Sequence, residues 1–190
     1  MNSNKSVLIV GYDSLDSMTT CRKEAFKLLG FKVSFLNTND DKYYRYDYRG
    51  LIRRLSLRLN FPVDLLQVNK KIQKLVENNV FDLIWIEKGL DIYPSTLKLI
   101  KKIPKAVCIN YNPDNAWSGG IGWGWYKLCL KYYDFHITPR YETMSYLSTK
   151  YNISALKYEY SYCEINHTIN KNNITLCDKK KYSCQISFFG

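Results

Sequence analysis

Histidine is nearly missing from this chain of 190 residues, which holds only His136 and His167. The six cysteines are Cys21, Cys108, Cys129, Cys163, Cys177 and Cys184. No two of them share C-x-x-C spacing, and no histidine stands near them in a zinc-like pattern, so no metal site is expected. No D-x-D triplet occurs. Of the G-x-G-x-x-G fingerprint only Gly11 follows the first strand, and a bound dinucleotide is not indicated. No apolar run approaches the length of a membrane span. The opening MNSNKSVLIVG runs straight into a strand without the apolar core of a signal peptide. A reduced, cytoplasmic protein is therefore expected, with Cys108 a buried thiol inside a strand. In such a setting the N-x-S/T triplets at Asn152, Asn166 and Asn173 read as accidental.

Acidic residues are also scarce: 17 against 28 lysines and arginines, a formal charge of +11. Such a chain attracts phosphates, acidic glycans, nucleic acids or anionic membranes. The basic residues are scattered, apart from a cluster at Arg45, Arg49, Arg53, Arg54 and Arg58. No nucleic-acid-binding signature accompanies them, so a lysine-rich surface is the plainer account and a nucleic-acid partner ranks last.

What the chain does have is apolar content. A hydrophobic fraction of 46% and an aromatic fraction of 15% suit one well-buried domain. Lys5–Val10 reads as a strand, Met18–Leu29 as a helix closed by Gly30, and Phe31–Leu36 as a second strand. Leu51, Leu55 and Leu59 fall at helical spacing among arginines, giving a basic amphipathic helix. It is expected to cover the sheet with its arginine face in water, a phosphate or glycan contact being the lesser alternative. Leu65–Glu77 gives another helix, and Tyr133–Thr138 and Ala155–Tyr160 two further strands, with a helix from Pro139 to about Lys150 between them.

Val80–Asp114 organises the rest. Two short apolar runs, Leu83–Ile86 and Ala106–Ile109, flank a helical segment opened by Pro94. That is a βαβ unit, the building block of parallel sheets. Polar residues crowd the carboxyl end of each run: Glu87, Lys88 and Gly89, then Asn110 through Asn115. Ligands bind along that edge in open α/β sheets. The expected fold is a Rossmann-like parallel sheet with helices on both faces. Residues 1–167 form its domain, 168–182 a linker, and 183–190 the first strand of a second domain that the chain does not contain.

The succession VLIVGYDS, LLGFKVSFLNT, FDLIWIEKGLDIYPSTLKLIKK, INYNPDN, YYDFHITPRYETMSYL, YEYSYCEINH and ISFFG resembles the CgeB-like (spore-maturation type) glycosyltransferases. The resemblance implies the amino-terminal, acceptor-side half of a GT-B enzyme. It implies transfer of a sugar from a nucleotide-sugar donor, held by a second domain, to a sugar or glycan acceptor. The donor is a substrate, and no cofactor or metal is implied. Gly11, Asp13 and Ser14 match the family's first loop, and Glu87, Lys88 and Gly89 its polar turn. Asn112, Asp114 and Asn115 lie in the segment that usually reads Y-x-P-D-D, with Asn115 replacing the second acid. His167 matches the histidine before the crossover.

Asp114 is the first candidate for base or acceptor binding, since a carboxylate can take the hydroxyl proton. A turn carboxylate is the structural alternative. Asp13 is either a ligand contact or a helix cap. Glu87 and Lys88 either pair with each other, contact hydroxyls, or are solvated. His136 reads as structural. The stretch Ala116–Trp125 sets three tryptophans among four glycines. Its rings either stack on sugars or pack onto the sheet edge. Competing functions are a non-catalytic glycan-binding remnant using that loop, a basic nucleic-acid-binding α/β protein, and a receiver-like regulatory domain.

Overall fold

A computed structural model describes residues 5–13, 17–38, 48–59, 63–117, 123–158 and 175–182. Two compact units are present, Met1–Tyr160 and Ser161–Gly190. The first is built on a six-stranded parallel sheet. Its strands are β1 (Ser6–Gly11), β2 (Lys32–Asn37), β3 (Leu83–Glu87), β4 (Val107–Tyr111), β5 (Phe135–Thr138) and β6 (Ala155–Lys157), in the order β2-β1-β3-β4-β5-β6. Every neighbouring pair is parallel. The helices are α1 (Met18–Leu28), α2 (Tyr48–Arg58), α3 (Val68–Asn78), α4 (Pro94–Ile100), α5 (Trp123–Cys129) and α6 (Tyr141–Tyr151). A 3-10 turn, Leu130–Tyr132, follows α5. The Rossmann-like expectation holds.

The reason lies in the strands' composition. Val7, Leu8, Ile9 and Val10 are all fully buried, as a strand sandwiched by helices requires. Side chains alternate between faces. Leu8, Val10, Ile84, Ile86 and Cys108 join one cluster with Val68, Ile72 and Val76 of α3 and Leu97 and Ile100 of α4. The opposite face carries Trp85 and Tyr111. Trp85 meets Phe26 of α1 edge-on at 5.7 Å between ring centroids. A second cluster joins Ala116, Tyr126, Leu130 and Leu147 under α5 and α6.

Helix α7 (Leu176–Tyr182) lies within the stretch expected as a linker. Other expectations are corrected. Strand β6 stops at Lys157. Helix α2 does not cover the sheet with its leucines, because Leu51, Leu55 and Leu59 are exposed. Cys21 is disulfide-bonded, which removes the redox argument for a cytoplasmic location. Cys108, Cys129 and Cys177 are free thiols. Among the described residues no helix is long and apolar enough to cross a membrane. The expected strand Ser183–Gly190 lies outside the described residues.

Candidate functional site

Successive strands run outward from β1 in both directions, so the sheet has its switch point between β1 and β3. Loops after those strands diverge there and leave the crevice where α/β sheets bind ligands. In this chain side chains of α1, β3 and β4 meet there. The Glu87 carboxylate accepts a hydrogen bond from Thr19 Oγ1 at 2.6 Å and pairs with Arg22 Nη1. Both partners come from α1. The Arg22 guanidinium also lies 3.9 Å from the centroid of the Tyr111 ring, and Tyr111 meets Tyr158 edge-on. Burial pushes the Tyr111 hydroxyl above its ordinary pKa, with Arg22 acting the other way. Gly11 suits the close approach of α1. A Cβ there would stand 3.2 Å from both Glu87 Cγ and Thr19 Cγ2. Glu87 and Gly11 thus bind α1 to the rim, and Glu87 does not pair with Lys88.

Asp13 lies across the same helix. It accepts from Thr20 Oγ1 at 2.9 Å and Lys23 Nζ at 3.0 Å, while its amide donates to Asn37 Oδ1 at 3.2 Å. Partial burial raises its pKa, but the Lys23 and Thr20 hydrogen bonds outweigh this and leave the carboxyl below its usual range. It is not the helix cap, a position that Ser17 holds.

The open part of the rim is one strand further on. Lys88 (φ 55°) and Gly89 (φ 76°) take left-handed backbone after β3. The Lys88 amide donates to Tyr111 O at 2.8 Å. Its ammonium pairs with Asp114 Oδ2 at 2.7 Å, with both side chains about half exposed. The strand tips therefore share one edge, and a cation and a carboxylate meet there in water. Asn110 is buried underneath. Its amide donates to Lys88 O at 3.2 Å, and its Oδ1 accepts from the Tyr126 hydroxyl at 3.0 Å. Burial raises the Tyr126 pKa to about 12, with the Asn112 side chain acting in the opposite sense.

Asparagine side chains shape the next turn. Asn112 Oδ1 accepts from the Asp114 amide at 3.0 Å, and Asn115 Oδ1 accepts from the Trp117 amide at 3.0 Å. These are Asx-type turns, in which a side-chain oxygen stands in for a backbone carbonyl. Asn112 is buried and Asn115 half-buried, so their oxygens hold the loop that presents Asp114. Arg140 Nε donates to Pro113 O at 2.6 Å and clamps the loop from β5's end.

Of the candidates, the structure brings Lys88, Gly89, Asn112, Asn115 and Asp114 together at the ends of β3 and β4. Gly11 and Glu87 stand at the crevice and Asp13 beyond it. Ser14 and His167 lie outside the described residues. Trp117 is not an open platform: it stacks on Tyr146 at 4.2 Å and on Tyr151 at 5.6 Å. Arg22 and Arg140 were missed by the sequence reading. Each acts on residues far away in the chain, and neither has a local signal. Among the described residues no cluster of histidine, cysteine, aspartate or glutamate suits a metal ion. Comparison with protein-family models, curated proteins and solved structures finds no match for the chain.

Proposed function

We propose that the chain is the acceptor-side domain of a glycosyltransferase. The observation carrying this reading is the Lys88–Asp114 pair at the open, carboxyl edge of the parallel sheet. The CgeB-like resemblance supplies the reaction. An acceptor hydroxyl attacks the anomeric carbon of a nucleotide-sugar, and the bond from that carbon to the diphosphate breaks. The nucleoside diphosphate departs with the bonding electrons. In this reading Asp114 takes the hydroxyl proton, Lys88 orients the carboxylate, and Asn112 and Asn115 hold the loop rather than the sugar. The donor belongs to a second Rossmann-like domain, and His167 is the second proposed catalytic group.

The test is nucleotide release. The chain joined to the donor domain that the reading calls for is incubated with UDP- and GDP-sugars and a mixed sugar-acceptor pool, and free UDP or GDP is measured. Asp114→Ala is expected to lower the rate by roughly 10²–10⁴-fold, the usual contribution of a positioned base, with an unchanged circular-dichroism spectrum. Wild-type rates in that variant would remove Asp114 from the mechanism. Absence of nucleotide release in every combination would sink the reading.

A further inference from the structure

Helix α2 is amphipathic in the opposite sense from a helix that packs on a core. Ser56 is only 6% exposed, whereas Leu51 is 56%, Ile52 39%, Leu55 48% and Leu59 76% exposed. At 3.6 residues per turn these four apolar residues share one face. The Leu59 amide donates to Leu55 O at 2.9 Å, so the helical turn carries past Arg58 and keeps Leu59 on the stripe. Arg54 and Arg58 are exposed and flank that stripe beside Leu51 and Leu55. No acidic residue occurs between positions 48 and 63, so every charge there is positive.

Charge decides what fits this face. A second copy would bring the same arginines and a net +11 to the contact, setting like charges against each other. A flat surface that is apolar inside and negatively charged outside complements both the leucines and the arginines. We propose that α2 lies in the plane of an anionic lipid bilayer. Leu51, Ile52, Leu55 and Leu59 enter the acyl boundary, while Arg58 reaches the lipid phosphates and Arg54 adds positive charge beside it. Short basic helices bind membrane surfaces in this way without spanning them. Long arginine stems suit it, because the charged head stays at the headgroup level while the stem covers apolar surface. The proposal is independent of glycosyl transfer and stands or falls separately from it.

The experiment is co-sedimentation of the full chain with two kinds of vesicle: phosphatidylcholine alone, and equal parts phosphatidylcholine and phosphatidylglycerol. Binding is expected on the mixed vesicles only, and it should weaken as salt is raised. Arg54→Gln with Arg58→Gln should weaken it by roughly thirtyfold, the effect of two surface cations. Leu51→Ser with Leu55→Ser should abolish it. All these side chains are exposed, so the variants should keep wild-type circular dichroism. If the leucine pair nevertheless disturbs the fold, the arginine pair reads the same surface alone. No binding to mixed vesicles overturns the proposal. So does undiminished binding by a folded leucine variant, which would make the attraction one of general charge. A dimer in solution that the leucine variant dissolves would assign the face to a second copy and likewise overturn it.

Discussion

Asn69 ties the start of α3 to the residues that lead into α4. It is buried, and both ends of its amide are used. Nδ2 donates to Asp64 Oδ2 at 2.9 Å and to Asp91 O at 2.8 Å. Oδ1 accepts from the Tyr93 amide and from Thr96 Oγ1, each at 2.8 Å. Four groups on the approach to α3 and α4 lose a partner if the amide goes. Stranding buried polar groups costs about 1–3 kcal/mol each, less what water recovers. Asn69→Ala is expected to lower the unfolding free energy by about 2–4 kcal/mol, measured by urea titration. His136 supports a pH prediction. Its Nε2–H donates to Leu130 O at 2.9 Å. Burial lowers its pKa from the ordinary 6.5, with the Leu130 carbonyl acting the other way. The unfolded chain then takes up a proton that the folded chain refuses. Stability is unaffected above pH 6.5 and falls as pH drops below it toward the depressed folded value. The urea midpoint should hold above about pH 6.5 and decline as the pH is lowered through it. His136→Gln, whose amide still donates to Leu130 O, should flatten that decline. Asp13, lowered from 3.8, contributes its own loss only at more acid pH.

The elements show what sequence pattern can carry. Strands β1, β3 and β4 were legible because burial on both faces demands unbroken apolar runs. Knowing where a strand ends also locates its carboxyl loop, so Lys88 and Asp114 were legible as rim residues. Partners across the rim were not. Glu87 is expected to pair with Lys88, to contact hydroxyls or to be solvated, yet its partners lie 65 and 68 positions earlier in the chain. Periodicity says which residues share a face but not which way the face turns. That is why α2 was expected to bury leucines that it exposes. Trp117 illustrates the same gap, since the aromatic residues it stacks on belong to α6. The loop after β3 yields a further prediction. Gly89 has φ 76°, and a Cβ there would stand 2.7 Å from the Tyr133 hydroxyl oxygen. Tyr133 is buried and cannot swing away. Gly89→Ala is expected to cost about 2–4 kcal/mol from strain and clash together. It should also displace Lys88 and thereby lower sugar affinity in the proposed site. Gly11→Ala should be milder, because its nearest neighbours stand farther off, at 3.2 Å.

At the scale of the whole molecule, the six strands run from Ser6 to Lys157, and among the described residues both apolar clusters draw on that span. They therefore fall inside the unit Met1–Tyr160. A domain that owns its sheet and its core should unfold as one cooperative body. A fragment of residues 1–160 is expected to keep the parallel-sheet circular-dichroism signature and a single sigmoidal urea transition. The dependence on urea should be set by the surface of this unit alone. The comparison is made under reducing conditions, so that the Cys21 disulfide does not enter it. Near-wild-type far-ultraviolet signal with a broad, probe-dependent transition and strong dye binding would mean that the sheet forms without fixed packing. In that case residues beyond Tyr160 would have to supply part of the core, and the boundary of the folding unit would have to move toward the expected 167 or past it.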